Sequence, residues 1–211
     1  MLGLRKNSTV VDSIGVADNH PPNKIASPLA DAEKLTYMFI RDVINQAVAC
    51  GKLFPARPVA SWSGEVRAFF MCDPLRLSIE QGKLSPLAVD RQPWAAVEAA
   101  IGYFVEGNPV TDNLMKQLLP PKFEHWELRN RRPRPSMRVF GRFADKDVFI
   151  GTHVKLRKEL GGMNSAQFEQ EKLVCEQYWL EAGLQAHFSD APNFRYDAYM
   201  SNAKKKVRVP A

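Results

Sequence analysis

Met137-Arg138-Val139-Phe140-Gly141-Arg142-Phe143-Ala144, the polar pair Asp145-Lys146, and then Asp147-Val148-Phe149-Ile150-Gly151-Thr152-His153-Val154-Lys155 make up the stretch that decides the fold. Two runs rich in aromatic and β-branched residues across a short polar turn predict an antiparallel hairpin. A third run, Glu124 to Arg129, precedes it across a Pro- and Arg-rich loop (Asn130 to Pro135), so the three strands read as a meander. Side chains alternate across a strand. Met137, Val139, Gly141 and Phe143 therefore oppose Arg138, Phe140 and Arg142, and Trp126 and Leu128 oppose Glu127 and Arg129. The same rule turns Val148, Ile150 and Val154 inward and Phe149, Gly151, His153 and Lys155 outward.

The open face would then hold Arg129, Arg138, Arg142, His153 and Lys155, with Phe140 and Phe149 among them and Arg157 and Lys158 at the rim. Cations serve phosphates and planar rings serve unstacked bases, which is what a single-stranded nucleic acid needs. Arg and Lys on an exposed sheet face also serve solubility and edge protection, the competing explanation.

Working outward, Ser27 as N-cap and Pro28 at the first helical position open an amphipathic helix that Gly51 stops. A strand is expected over Glu65 to Cys72, and Leu75 to Arg91 mixes helix and loop signals. A helix from Pro93 to Gly107 carries Trp94, Val97, Ile101 and Phe104 on one face. Another is expected from the Thr111 N-cap to Pro120-Pro121, making a helical hairpin. After Gly161-Gly162, Asn164 to Gln167 resembles a capping box for a last helix through Phe168, Cys175, Tyr178 and Trp179 to Gly183. The expected class is α+β: a helical hairpin packed on a small twisted antiparallel sheet, with an added N-terminal helix and a C-terminal helix. The expected division is a flexible arm over 1–26, a helical extension over 27–60, the α+β domain over 61–188 and a basic tail over 189–211, which holds the cluster Lys204 to Arg208.

Composition bounds the function. The chain has 211 residues, 29 Lys+Arg against 23 Asp+Glu, a net charge of +6 and 45% hydrophobic residues, enough to fill a core and to exclude wholesale disorder. Residues 1–110 are neutral, and the excess falls after them, 18 basic against 12 acidic, densest between Leu114 and Leu160. A basic block between folded-looking segments points to a surface that meets phosphate. The most apolar run, Leu35 to Val48, is interrupted by Arg41 and Asp42, so no membrane partner is expected, and with no secretory signal visible the expected location is cytoplasmic. Three scattered cysteines, Cys50, Cys72 and Cys175, fit neither a disulfide framework nor zinc spacing, and no GxxxxGK[ST] loop or carboxylate cluster is present. No metal and no cofactor are expected.

The order helical hairpin, Trp126-Glu127-Leu128-Arg129, Met137-Arg138-Val139-Phe140-Gly141-Arg142-Phe143, Asp147 to Lys155, then a helix, resembles the RelE/ParE toxin superfamily, particularly its HigB-like, phage-associated branch. The likeness spans roughly Leu114 to Gly183. It implies a toxin-like protein of a toxin-antitoxin or phage-related system that cleaves messenger RNA at the ribosome without a metal, with RNA, the ribosome and a cognate antitoxin as partners. A 2′-hydroxyl would attack the adjacent phosphate, which calls for a base, an acid and surrounding cations. Arg138, Arg142, Lys155 and His153 are the catalytic candidates. Arg129, Phe140, Phe149, Arg157 and Lys158 are the nucleic-acid-binding ones. Thr152 replaces the apolar residue usual before the His, and no position matches the C-terminal Tyr or His that several members use; Tyr178 and His187 are the candidate substitutes, Tyr178 fitting equally well in the helix core. Two other classes compete: a gyrase-directed or host-enzyme-inhibiting toxin, and a non-catalytic nucleic-acid-binding or interaction module. The N-terminal helix has two readings as well, core or an antitoxin-like cover in cis.

Overall fold

The computed structural model describes residues 40–56, 67–162, 165–184 and 196–201. Among these residues six strands form one mixed sheet: β1 (Leu53–Pro55), β2 (Ala68–Cys72), β3 (Met115–Gln117), β4 (Trp126–Asn130), β5 (Met137–Asp145) and β6 (Val148–Leu156), in the order β1-β2-β6-β5-β4-β3. Helices α1 (residues 40–49), α2 (Asp73–Lys83), α3 (Ala88–Val105), α4 (Ala166–Glu181) and the single turn α5 (Tyr196–Tyr199) complete an α+β fold. Within the described residues no helix is long and apolar enough to cross a membrane.

The meander β4-β5-β6 is antiparallel, as its alternation predicts. The sheet as a whole is not. β2 lies parallel to β6, with Phe69 opposite Phe149 and Phe70 opposite Ile150, because two helices and three strands intervene before the chain returns beside it.

The helical hairpin is α2-α3 rather than the pair expected over 93–119. Asp73 in the first turn and Pro74 at its start open α2, and Leu75 and Ile79, one turn apart, are buried. Helix α3 begins at Ala88 and carries Pro93 inside it, so that proline does not mark its start. Thr111 caps only one turn: its carbonyl accepts from Leu114 and Met115, and its Oγ1 accepts from Asn113 at 3.3 Å. The chain then straightens into β3, which pairs Met115 with Leu128 and Gln117 with Trp126.

Both faces of the sheet are covered. On one, α2 and α3 bury Val97, Ile101 and Phe104 against Phe69, Leu128, Val139, Phe143 and Phe149. Residues 196–201, expected in a basic tail, join this core. Tyr196 and Tyr199 meet the Trp126 ring edge-on at 5.0 Å each, and Ser201 donates its backbone N–H to Asp147 at 2.7 Å. On the other face, Ser165 caps α4 by accepting from the Phe168 N–H, and Phe168 and Cys175 of that helix pack on Phe140. Ile44 and Ala47 of α1 lie in the same layer against Trp179 and Leu53, so this part of the N-terminal helix is core. The rest of the expected helix, the arm over 1–26, the Lys204 to Arg208 cluster and His187 lie outside the described residues.

An irregularity in the β5-β6 ladder reassigns side chains between the faces. Gly141 pairs with Gly151 but Phe140 pairs with His153, so Thr152 is an extra residue and the alternation of β6 inverts there. Phe149 therefore lies in the α2-α3 core at 0% exposure, while Val148 and Ile150 lie with His153 and Lys155 on the α4 side. The expected shared face for Phe149 and His153, and for Ile150 and Val154, is corrected by this one bulge.

Candidate nucleic-acid interface

On the α4 side, Arg129, Arg138 and Lys155 lie abreast on three adjacent strands, and Glu127, Phe140 and His153 form the next row. Neighbouring strands are about 4.8 Å apart, so each row is a tight line of side chains. Helix α4 crosses this face and divides it, leaving the expected open surface closed over Phe140, Arg142 and His153 and open at the Arg129-Arg138 end and beside Lys155.

The closed part is a set of ties between sheet and helix. The His153 ring stacks on Phe140 at 4.9 Å and 4°, its Nε2 is hydrogen-bonded with Glu171 Oε2 at 3.0 Å, and its Nδ1 lies 3.0 Å from the Thr152 hydroxyl oxygen, which donates to the Phe140 carbonyl at 3.1 Å. Burial pushes the imidazole down to about 4, against the pull of Glu171 and with some help from Lys155. His153 is thus neutral near pH 7 and 5% exposed. Arg142, 1% exposed, donates to Glu176 Oε2 at 2.6 Å and lies 4.8 Å over the Trp179 ring. Lys155 pairs with Glu171 Oε1 at 3.2 Å and faces a separate depression beside Gln167 and Gln170. Phe140 is fully buried, and Tyr178 belongs to α4, 6.0 Å from the His153 ring.

Beyond the end of α4 the face opens into a cleft of about 1020 Å³. Arg129, Arg131, Arg132, Arg134, Arg138 and Arg157 line it, with Glu127 as the one carboxylate among the lining residues, a formal excess of five positive charges. Glu127, 1% exposed, is the anchor: its Oε1 accepts from Arg129 Nε at 2.6 Å and also pairs with Arg129 Nη2, while Oε2 faces Arg138 Nε at 3.4 Å. Arg129 Nη1 donates to the Asp112 carbonyl at 3.0 Å, and Arg138 Nη1 to those of Asn130 at 3.1 Å and Met137 at 2.7 Å. Arg157 reaches over Phe168, its Nη1 on the Gly161 carbonyl at 2.6 Å. Arg131, Arg132 and Arg134 stand exposed on the loop between β4 and β5.

The electrostatics are those of an anion site. Burial lowers Arg138 to about 10, Glu127 opposes the shift, and Arg129, Arg157 and Arg131 add to it by repulsion. The group remains charged at neutral pH but sits among more cations than carboxylates, so an arriving anion gains from several guanidinium groups at once.

The structure thus brings Arg129, Arg138 and Arg157 together and leaves Arg142, His153, Lys155, Phe140 and Phe149 out of the cleft. Lys158 is exposed nearby but does not line it. Sequence reasoning passed over Glu127 and the three loop arginines. The signal for the loop was the run Arg131-Arg132-Pro133-Arg134-Pro135, and that for Glu127 was its place two residues before Arg129 on the same strand face. The cleft presents no ring for base stacking, since Phe168 is 1% exposed. Among the described residues no three His, Cys, Asp or Glu side chains are placed to hold a metal ion. Burial raises the thiols of Cys72 and Cys175 to about 12 each, which removes both as nucleophiles at neutral pH. No family model, no curated protein and no solved structure matches the chain.

Proposed function

We propose that this protein binds a nucleic-acid strand, RNA in the first instance, by its phosphates in the arginine cleft, and that it does so without turnover. The observation that carries the reading is the six-to-one ratio of arginine to carboxylate around one opening, with Glu127 already shared by two of the arginines. Guanidinium groups bind phosphate oxygens in pairs and release counterions as they do so, which makes binding strong, salt-dependent and indifferent to base sequence. The wider reading rests on the motif likeness to RelE/ParE toxins: a cytoplasmic toxin-like protein, with the ribosome and an antitoxin as partners. The cleft supports its RNA-binding half. Cleavage would need a free acid or base in reach of the phosphate, whereas His153 lies under α4, bonded to Glu171 and Thr152, and Glu127, the one carboxylate lining the cleft, is paired with Arg129 and Arg138.

The test compares affinities for a labelled single-stranded RNA at one salt concentration. Replacing Arg131, Arg132 and Arg134 together by Gln weakens binding by about thirtyfold. The paired replacement of Lys146 and Lys158, exposed but outside the cleft, changes it by less than about twofold. The RNA remains full length throughout. Equal effects of the two variants would refute the assignment to the cleft, and shortened RNA would refute the absence of turnover.

A further inference from the structure

The floor of the arginine cleft differs chemically from its rim. Arg131, Arg132 and Arg134 at the rim are exposed, whereas Glu127 and Arg138 at the floor are 1% and 8% exposed. Arg129 commits all three guanidinium nitrogens, to Glu127 and to the Asp112 carbonyl. Arg138 does not. Its Nη1 is bonded to two carbonyls, its buried Nε faces Glu127 Oε2 without hydrogen-bond geometry, and its Nη2 has no hydrogen bond among the described residues. Arg157, half-buried at the side, commits Nη1 alone. The bottom of the cleft therefore holds donor capacity that is shielded from solvent and lacks a matching acceptor.

We infer that this floor receives a terminal phosphomonoester, the phosphorylated end of a nucleic-acid strand, with Arg138 and Arg157 as its donors and Arg131, Arg132 and Arg134 following the adjoining diester phosphates. The inference rests on the nucleic-acid reading of the same cleft and narrows it to a class of ligand. An internal diester carries one charge and is tethered on both sides, so reaching a group as buried as Arg138 requires the strand to double back. A terminal phosphate is tethered once, carries about −1.5 to −2 charge at neutral pH and offers three acceptor oxygens. It matches the uncommitted nitrogens of Arg138 and Arg157 in number and in charge. With no exposed ring in the cleft, selection falls on the phosphate rather than on the base. Repulsion from Arg129, Arg157 and Arg131, which helps to hold Arg138 down to about 10, is relieved when a dianion enters.

The experiment titrates the full chain into three internally labelled RNAs of one sequence, about ten nucleotides long, carrying a 5′-phosphate, a 3′-phosphate or hydroxyls at both ends. At least one phosphorylated RNA binds about tenfold or more tighter than the hydroxyl form. Arg138→Gln abolishes that preference. Arg157→Gln, at a half-exposed position where folding is not at stake, reduces it by about threefold or more, and Arg132→Gln weakens all three RNAs alike. Equal binding of the three RNAs by the unaltered protein overturns the inference and leaves the polyanion cleft standing. Failure to bind any of them overturns the cleft as well. A preference that Arg157→Gln leaves undiminished overturns the placement, whether or not Arg138→Gln folds.

Discussion

Arg138 lies directly opposite Arg129 across β4 and β5, and the two guanidinium groups share the carboxylate of Glu127. Like charges in direct cross-strand register repel, so the carboxylate is what makes the arrangement tolerable when the cleft is empty.

Glu127→Gln should therefore destabilise the empty protein by about 3 kcal/mol, because a buried pair that loses one partner leaves uncompensated charge behind. Added inorganic phosphate should raise the melting temperature of the variant more than that of the parent, since an anion in the cleft replaces the missing carboxylate. Thermal melts with and without phosphate check both statements, and an equal response would show that Glu127 does not balance the cleft.

His153 makes stability depend on pH. Its folded-state value of about 4 lies below the unfolded value near 6.5, so the unfolded chain takes up a proton that the folded chain refuses. The contribution is complete above about pH 6.5 and is lost as pH falls toward 4, by up to about 3 kcal/mol over that window. Urea midpoints measured at several pH values should show this fall, and His153→Gln should flatten it.

Arg142 separates structure from binding. Its side chain is held by Glu176 and Trp179, so Arg142→Ala should cost about 2–3 kcal/mol through lost packing on Trp179 and a lost ion pair with Glu176. RNA affinity measured below the melting transition should be unchanged. A large loss of affinity in a folded variant would place Arg142 in the interface, as the strand alternation alone had it.

The last described segment is part of the core. Tyr199→Ala removes a ring packed on Trp126 and Phe143 and a hydroxyl that donates to Glu124 at 2.6 Å, and should cost about 4 kcal/mol. A chain ended at residue 188, where the expected domain closes, should lose cooperative melting for the same reason. A sharp transition at the parent temperature would contradict this.

How much of this was legible in the sequence follows from which signals are local. The strands β4, β5 and β6 could be read because alternation over five to nine residues is a local pattern, and so could α4, although Ser165 is its cap where the capping box was expected to start at Asn164. Thr111 misled because a threonine cap looks the same whether one turn or four follow it. The bulge at Thr152 left no local signal, since it depends on Gly141 and Gly151 meeting across two strands, where a Cβ at either would collide with Phe149, Phe69 or Leu75. Coverage of the cationic face had a signal that went unused. Phe168, Cys175 and Trp179 form an apolar stripe on α4 that must bury somewhere, and with α2 and α3 on one face of the sheet the other face was the place for it. The arginines that remained open are those beyond the end of that helix, on the strand end and the proline-rich loop.

The central claim, that the cleft between β4, β5 and the Arg131-Arg134 loop holds the phosphates of a strand, is tested most directly by the salt dependence of RNA affinity. The unaltered protein should show a slope of log K against log salt of about −4, as expected if five to six phosphates are contacted, and the paired change Arg132→Gln and Arg134→Gln should reduce it to about −2.5. A slope near zero, or one that the paired change leaves untouched, would contradict the account.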